Sequence, residues 1–350
     1  MAGLKLAVMG MAHDHLWSMI KQAQALEGVA VVAGADPNPA LQARFRERTG
    51  IGKVYAEHEE MLDRERPDGA LVCSSNAEHR ALVEMASARG IHAMVEKPMA
   101  ATLEQADGMV LAARRAGTVL MVNWPTAWST TLRAARRLAG EGRIGEVWQV
   151  KFRGGHCGPD ELGCSPEFQG FLFDKDLNGA GALNDYAGYG ATLCVWFLGS
   201  PNSVAGMGGR LLKTHLPVDD NAVLLLRYPH ALCVLEMTWT EAVPHRPAHD
   251  LIVYGSQGTM VVPMSARDGN VRLYTREDKE GTEVAPDPAP EGIVHGPACF
   301  VNAIRQGRWP EGICNPNLSR QAQEIMEAGL ISIRSGAAIA LPLEDHLFRR

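Results

Sequence analysis

Apolar residues run in short unbroken blocks through the first third of the chain and alternate with polar residues through much of the rest. Leu4–Met9, Val29–Ala35, Asp68–Cys73, Ile91–Val95 and Thr118–Asn123 read as strands buried on both faces. Between them, Asp14–Leu26, Pro39–Arg48, Glu57–Glu65, Glu78–Arg89 and Thr102–Ala116 carry helical spacing, with Thr102 placed to cap the last. Strand and helix alternating at this interval predict a doubly wound parallel sheet. Ligands of such sheets bind at the carboxyl ends of the strands, here lined by Gly10, Asp36, Ser74, Lys97 and Asn123.

The texture changes near Trp124-Pro125. After a helix over Ser129–Glu141, Glu146–Arg153, Val204–Leu211, Asn221–Tyr228, Ala231–Trp239, Asp250–Tyr254 and Gly258–Val262 read as strands, several alternating apolar and polar positions. Short turns at Tyr228–Ala231 and Gly255–Gly258 predict a large, open, mostly antiparallel sheet with one face on helices and the other free for a partner subunit. Gly154–Asn184 reads as a long glycine-rich loop, Asp185–Leu198 as a helix, Glu277–Pro290 as a solvated loop, and His295–Gln306 and Asn317–Gly336 as helices. The expected domains are 1–123, built on the doubly wound parallel sheet, and 124–350, a second α/β domain.

At 350 residues the chain exceeds what one core readily supports, which agrees with two domains. With 46% apolar residues, a net charge of −6 and a pI near 6.1, it presents no basic field for nucleic acid or anionic membrane, so the expected partner is a small molecule. Seven scattered cysteines form no disulfide framework, and no apolar run suits a signal peptide or a membrane span; cytoplasm is the expected compartment.

The first loop, Gly10-Met11-Ala12-His13-Asp14-His15, keeps only the first glycine of a dinucleotide fingerprint. Ala12 still allows close approach of a pyrophosphate, and His13 or His15 can add a donor. Asp36 lies 26 positions after Gly10, where a carboxylate holds ribose hydroxyls and repels a 2′-phosphate, favouring NAD over NADP; alternatively it starts the turn before Pro37. Lys97, on the rigid Glu96-Lys97-Pro98 corner, is a candidate acid/base. Asp185 and Tyr189 are four apart on one helix face; they either cap and pack that helix or point at Lys97 across the domain junction as a proton relay. His156, Cys157 and Cys164 match no zinc spacing, and no metal is expected.

These residues resemble the Gfo/Idh/MocA family, which includes glucose–fructose oxidoreductase and inositol 2-dehydrogenase. The resemblance rests on Gly10 after the first strand, Asp36-Pro37-Asn38-Pro39, Ser75 to His79, Glu96-Lys97-Pro98, Gly145-Glu146-Val147, Gly179–Leu198, Tyr254–Thr259 and Ser335–Pro342. It implies an NAD-binding Rossmann domain over 1–123, an α/β domain for substrate binding and oligomerisation over 124–350, and an NAD-dependent oxidoreductase acting on a sugar, polyol or related hydroxy compound. Lys97, Asp185 and Tyr189 match the family's catalytic positions, Tyr189 standing where many members have histidine. The cofactor would be held by Gly10, Met11, Ala12, His13, Asp36, Ser74, Ser75, Asn76, His79, Glu96, Lys97 and Asn123, and the substrate by Lys97, Trp124, His156, Asp185 and Tyr189. A redox-neutral glycosidase or lyase working through a transient keto-sugar, and a non-catalytic ligand sensor, are the alternatives. A homo-oligomer is expected.

Overall fold

A computed structural model describes residues 3–242, 251–264 and 269–343, so Asp250, expected to begin a strand, lies outside the described residues. The chain divides into two compact units, neither continuous in sequence: residues 1–124 with 164–179 and 291–320, and residues 125–163 with 180–290 and 321–350. A single cut after residue 123 therefore separates the sheets but not the packing, because two later segments fold into the first unit.

The first unit alternates β1 (Leu4–Met9), α1 (Leu16–Gln24), β2 (Val29–Ala35), α2 (Pro39–Thr49), β3 (Val54–Tyr55), α3 (His58–Glu65), β4 (Gly69–Val72), α4 (His79–Ser87), β5 (His92–Glu96), α5 (Leu103–Ala116) and β6 (Leu120–Asn123). All pairs are parallel in the order β3-β2-β1-β4-β5-β6, the Rossmann order, with the chain reversing direction across the sheet at β1. Every residue of β4 and β6 is buried, as the unbroken apolar runs require of a sheet covered on both faces. Helix α5 has the expected cap: the Gln105 N–H donates to Thr102 Oγ1, while Gln105 Oε1 accepts from the Thr102 N–H.

The second unit starts with α6 (Thr130–Gly140) and β7 (Val147–Gly155). Gly154–Asn184, expected as a loop, instead carries α7 (Pro166–Leu172) and α8 (Lys175–Asn178), both in the first unit, and the start of α9 (Ala182–Leu198). Ser165 caps α7 through Phe168 N–H, and Asp174 caps α8 through the N–H groups of Asp176 and Leu177. Strands β8 (Ser203–Gly209), β9 (Asn221–Arg227), β10 (Leu232–Thr238), β11 (Leu251–Gly255), β12 (Gly258–Val262), β13 (Val271–Thr275) and β14 (Thr282–Val284) follow. Helix α10 (Gly296–Gln306) belongs to the first unit, α11 (Pro316–Ser335) contributes its first residues there, and β15 (Ile339–Ala340) ends the second sheet.

That sheet runs β14-β13-β12-β11-β7-β10-β9-β8-β15 among the described residues and is antiparallel except where β7 and β10 pair in parallel. Helix α9 packs on β7, β9 and β10. The strict in-out alternation of β9 leaves Val223 and Leu225 exposed on the other face, beside Met207 of β8 and Leu232 of β10. Among the described residues no helix is long and apolar enough to cross a membrane.

Candidate active site

In the first unit the candidate residues gather at the carboxyl edge of the parallel sheet. Gly10 leaves β1 at φ +79°, and a Cβ there would meet the Cα, Cβ and N of Ser74 at 2.6 to 2.8 Å. This position admits only glycine, on backbone conformation and on space. Asp36, at the end of β2, is buried and takes the turn role, one of the two read from the sequence, together with a bond to the first loop. Its Oδ2 accepts the Met11 N–H at 2.7 Å, fastening the first loop, and its Oδ1 accepts the Asn38 N–H at 2.8 Å, closing the turn before α2. Burial pushes its carboxyl up, and the two N–H groups only partly offset this.

The loop itself is tightly held. His13 donates its backbone N–H to Cys73 O, and its ring is 2% exposed, 4.4 Å from Phe168 and 6.0 Å from Phe171 of α7. Burial drives the His13 pKa well down, so its imidazole is neutral. The N–H groups of Ala12 and Asp14 have no acceptor among the described residues, which suits a diphosphate approaching the start of α1.

Glu96 is fully buried at the end of β5, where strand register sets it beside Asn123 of β6. Its Oε1 accepts from Asn123 Nδ2 at 2.7 Å; its Oε2 faces His15 Nδ1 at 3.2 Å and His13 Nε2 at 3.9 Å and accepts the Lys97 N–H at 3.2 Å. Burial opposes ionisation, yet the His15 imidazole and these donors hold Glu96 at about 2. Lys97 is buried and followed by a cis peptide to Pro98.

Several expected cofactor residues mainly hold the frame. Ser75 donates both N–H and Oγ–H to Glu78 Oε2, Ser74 Oγ donates to Ser75 O, and Asn76 Nδ2 donates to Asn178 Oδ1 of α8 at 2.6 Å. His79, fully buried, bonds through Nδ1 to Met99 O just past the Glu96-Lys97-Pro98 corner. Trp124, expected at the substrate, is 1% exposed with its indole N–H on Ser319 Oγ at 3.0 Å; this is a core packing position.

In the second unit α9 carries Asp185 in its first turn. The start of the helix is capped by Asp219, whose two carboxylate oxygens accept the Gly181 and Leu183 N–H groups at 2.7 and 2.8 Å. Asp185 is buried, and its Oδ2 accepts the Trp239 indole N–H at 3.0 Å with His156 Nε2 at 3.6 Å. His156 Nδ1 accepts the Gly158 N–H at 2.8 Å, so in the neutral ring Nε2 carries the hydrogen, toward Asp185. The His156 ring lies nearly parallel to Trp239 and edge-on to Tyr186, whose ring packs on half-buried Tyr189 at 5.7 Å.

The loop after His156 is held by buried Lys213, whose ammonium donates to Cys157 O, Asp160 Oδ1 and Glu161 Oε1. Sequence reading missed Trp239, Asp219, Phe168 and Phe171. Trp239, directly after the alternating run of β10, and the Ser165-Pro166 cap signal were available clues.

Residues 4–124 match the profile described as oxidoreductase family, NAD-binding Rossmann fold, and residues 132–261 match the GFO/IDH/MocA C-terminal domain. The chain is 24% identical to a D-apiose dehydrogenase of Paraburkholderia graminis, over 94% of this chain and 86% of the relative. It is 27% identical to dTDP-3,4-didehydro-2,6-dideoxy-alpha-D-glucose 3-reductase of Streptomyces antibioticus, over 87% and 89%. The fold superposes on the WlbA dehydrogenase of Bordetella pertussis, solved with NADH and UDP-GlcNAcA, at TM-score 0.82 and 21% identity, covering 98% and 99% of the two chains. With both domains matched in order, this chain belongs to the Gfo/Idh/MocA family of NAD(P)-dependent oxidoreductases, whose members act on CH–OH groups of sugars and polyols.

Proposed function

We propose that the chain oxidises a secondary hydroxyl of a sugar, polyol or related compound with NAD, using Lys97 and Tyr189 as the acid/base pair and Asp185 to orient them. The observation that carries this reading is the setting of Asp185: a buried carboxylate in the first turn of α9 whose Oδ2 is held by the Trp239 indole N–H and faced by His156. A buried carboxylate so oriented holds a neighbouring cation or hydroxyl in one geometry. His156 contributes by facing the same oxygen, and because both its ring nitrogens face protein atoms it serves as a positioning residue for Asp185.

Bound NAD supplies the hydride acceptor. As hydride leaves the carbinol carbon, the hydroxyl proton passes to Tyr189 or Lys97, giving the ketone. Gly10, Ala12 and the Met11–Asp36 bond provide a close, braced approach for the dinucleotide. Asp36 favours NAD, since a 2′-phosphate would meet its carboxylate; a relative described as a scyllo-inositol 2-dehydrogenase uses NADP, so the preference belongs to the individual chain. The exposed apolar residues of β8, β9 and β10 support self-association through that sheet face.

The test is nicotinamide absorbance with NAD, then NADP, across free sugars, polyols and glycosides, with products followed by mass spectrometry. Steady NADH accumulation on a free sugar or polyol is the expected result; glycoside cleavage without net NADH would refute it. Lys97→Ala lowers turnover by about 10²–10⁴-fold while NADH binding survives; unchanged turnover would remove Lys97 from the chemistry.

A further inference from the structure

Among the described residues one group of side chains stands close enough to ligate a single ion: His13, His15 and Glu96, whose donor atoms all lie within 4.8 Å of one another. We propose that the dinucleotide-free chain binds one divalent transition-metal ion of the zinc type here, through His13 Nε2, His15 Nδ1 and Glu96 Oε2 with water completing the shell, and that metal and dinucleotide exclude each other. The metal site stands on the cluster alone; the exclusion rests on the assignment of this loop to the dinucleotide.

The spacing suits the ion. Tetrahedral zinc, with bonds of about 2.0–2.1 Å, sets its ligand atoms about 3.3 Å apart. The observed separations are 3.2 Å from His15 Nδ1 to Glu96 Oε2 and 3.9 Å from His13 Nε2 to the same oxygen. The His13–Glu96 edge must close by about 0.6 Å, and the His13–His15 edge, at no more than 4.8 Å, by at most about 1.5 Å, within reach of small side-chain rotations.

The ligands are also held as metal ligands are held. Asn123 occupies Glu96 Oε1 and leaves Oε2 toward the two rings. Phe168 and Phe171 fix the His13 ring from α7. Glu96 and His13 are buried, whereas the His15 side chain is 42% exposed and gives the ion its way in. Two imidazole nitrogens with one carboxylate select zinc, cobalt, nickel or copper over magnesium and calcium.

Binding has one local cost. His13 Nδ1 accepts the His15 backbone N–H at 3.2 Å, and ligation through Nε2 moves the ring hydrogen to Nδ1, so this long bond is given up. Three metal bonds outweigh it. Exclusion follows from supply: the same three side chains cannot ligate an ion and face a dinucleotide at once.

The experiment is calorimetric titration of zinc chloride into the full-length, chelator-washed, dinucleotide-free chain, with cobalt absorption reporting coordination. One equivalent of zinc and a tetrahedral cobalt spectrum are expected. His15→Gln, at a half-exposed position, weakens zinc by more than about 100-fold, beyond what loss of even an outer partner of a metal ligand costs. Isosteric Glu96→Gln gives the same loss should His15→Gln fail to fold, and His215→Gln, at an exposed histidine elsewhere, leaves binding unchanged. Absence of saturable zinc binding, or equal affinity in both site variants, overturns the metal site.

For exclusion, zinc at ten times its dissociation constant weakens NADH about tenfold by mass action. Undiminished NADH affinity with zinc still bound overturns it. A chain that binds zinc but no dinucleotide overturns exclusion and the proposed function together, and leaves the metal site standing.

Discussion

Replacing Gly10 with alanine separates two costs that usually arrive together. The residue sits at φ +79°, and the added methyl would lie 2.6 to 2.8 Å from three atoms of Ser74, two of them backbone. Gly50, the left-handed cap of α2 at φ +70°, has nothing within 4 Å of its hypothetical Cβ. Gly50→Ala therefore reports the conformational penalty alone, about 1–2 kcal/mol. Gly10→Ala adds overlap with backbone that cannot swing aside, another 1–3 kcal/mol at about the level of overpacked cores. Denaturant unfolding of the two variants should place Gly10→Ala roughly 1–3 kcal/mol below Gly50→Ala. NADH titration then separates stability from function, because relief of the overlap requires β1 and the Ser74 segment to move apart at the cofactor edge. NADH affinity should fall at least about tenfold in Gly10→Ala and not in Gly50→Ala. Equal stabilities and equal NADH affinities would refute the argument that this glycine is required by space.

Asp36→Asn places an amide where two backbone N–H groups need acceptors; unfolding should show a loss of about 1.5–3 kcal/mol, and the ratio of NAD to NADP turnover should fall. Trp239→Phe keeps the packed ring but removes the N–H from Asp185, so kcat should drop by about 10- to 100-fold with little change in melting temperature; an unchanged kcat would leave Asp185 without a need for that bond. His58, His79 and His92 all have pKa values lowered mainly by burial. The unfolded chain then takes up protons first, so stability is full above about pH 6.5 and declines as pH falls toward the lowered folded values. Denaturation midpoints between pH 8 and about 5 measure this, and His92→Gln should flatten the slope.

The Rossmann sheet was legible because parallel strands covered on both faces leave unbroken apolar blocks, and the Thr102 cap was legible because both partners lie within four residues. Strands too short or polar to show a period were not: β3 and β15 have two residues each, and β14 falls in the acidic stretch read as a loop. The parallel pairing of β7 with β10 is set by long-range contacts that turn chemistry does not encode. Gly154–Asn184 failed for another reason. Its caps at Ser165 and Asp174 were present, but glycine content outweighed them, and nothing local shows that Phe168 returns to cover His13, about 150 residues earlier. Candidate site residues could be named by type and position; the hydrogen-bond partners they take in the fold, Trp239, Asp219 and Ser319, could not, because such partners are chosen by the fold.

The two missing glycines of the first loop acquire a meaning from these partners. In a standard dinucleotide loop the later glycines let strand, helix and ligand approach closely. Here His15 takes the last of these positions and turns its ring to Glu96, while His13 tucks beneath Phe168. Close approach is thus replaced by an electrostatic tie between the loop and the end of β5. Glu96 is the common point: one oxygen bonds to Asn123, and the other faces the loop imidazoles and accepts the Lys97 N–H. A carboxylate held at about 2 stays charged through the working range of any dehydrogenase, so the Glu96 side of this tie remains an acceptor throughout. The loop assigned to the cofactor and the backbone of the lysine assigned to proton transfer therefore share one rigid anchor. Loss of that carboxylate should disturb dinucleotide affinity and turnover together, whereas loss of the Lys97 side chain should disturb turnover alone.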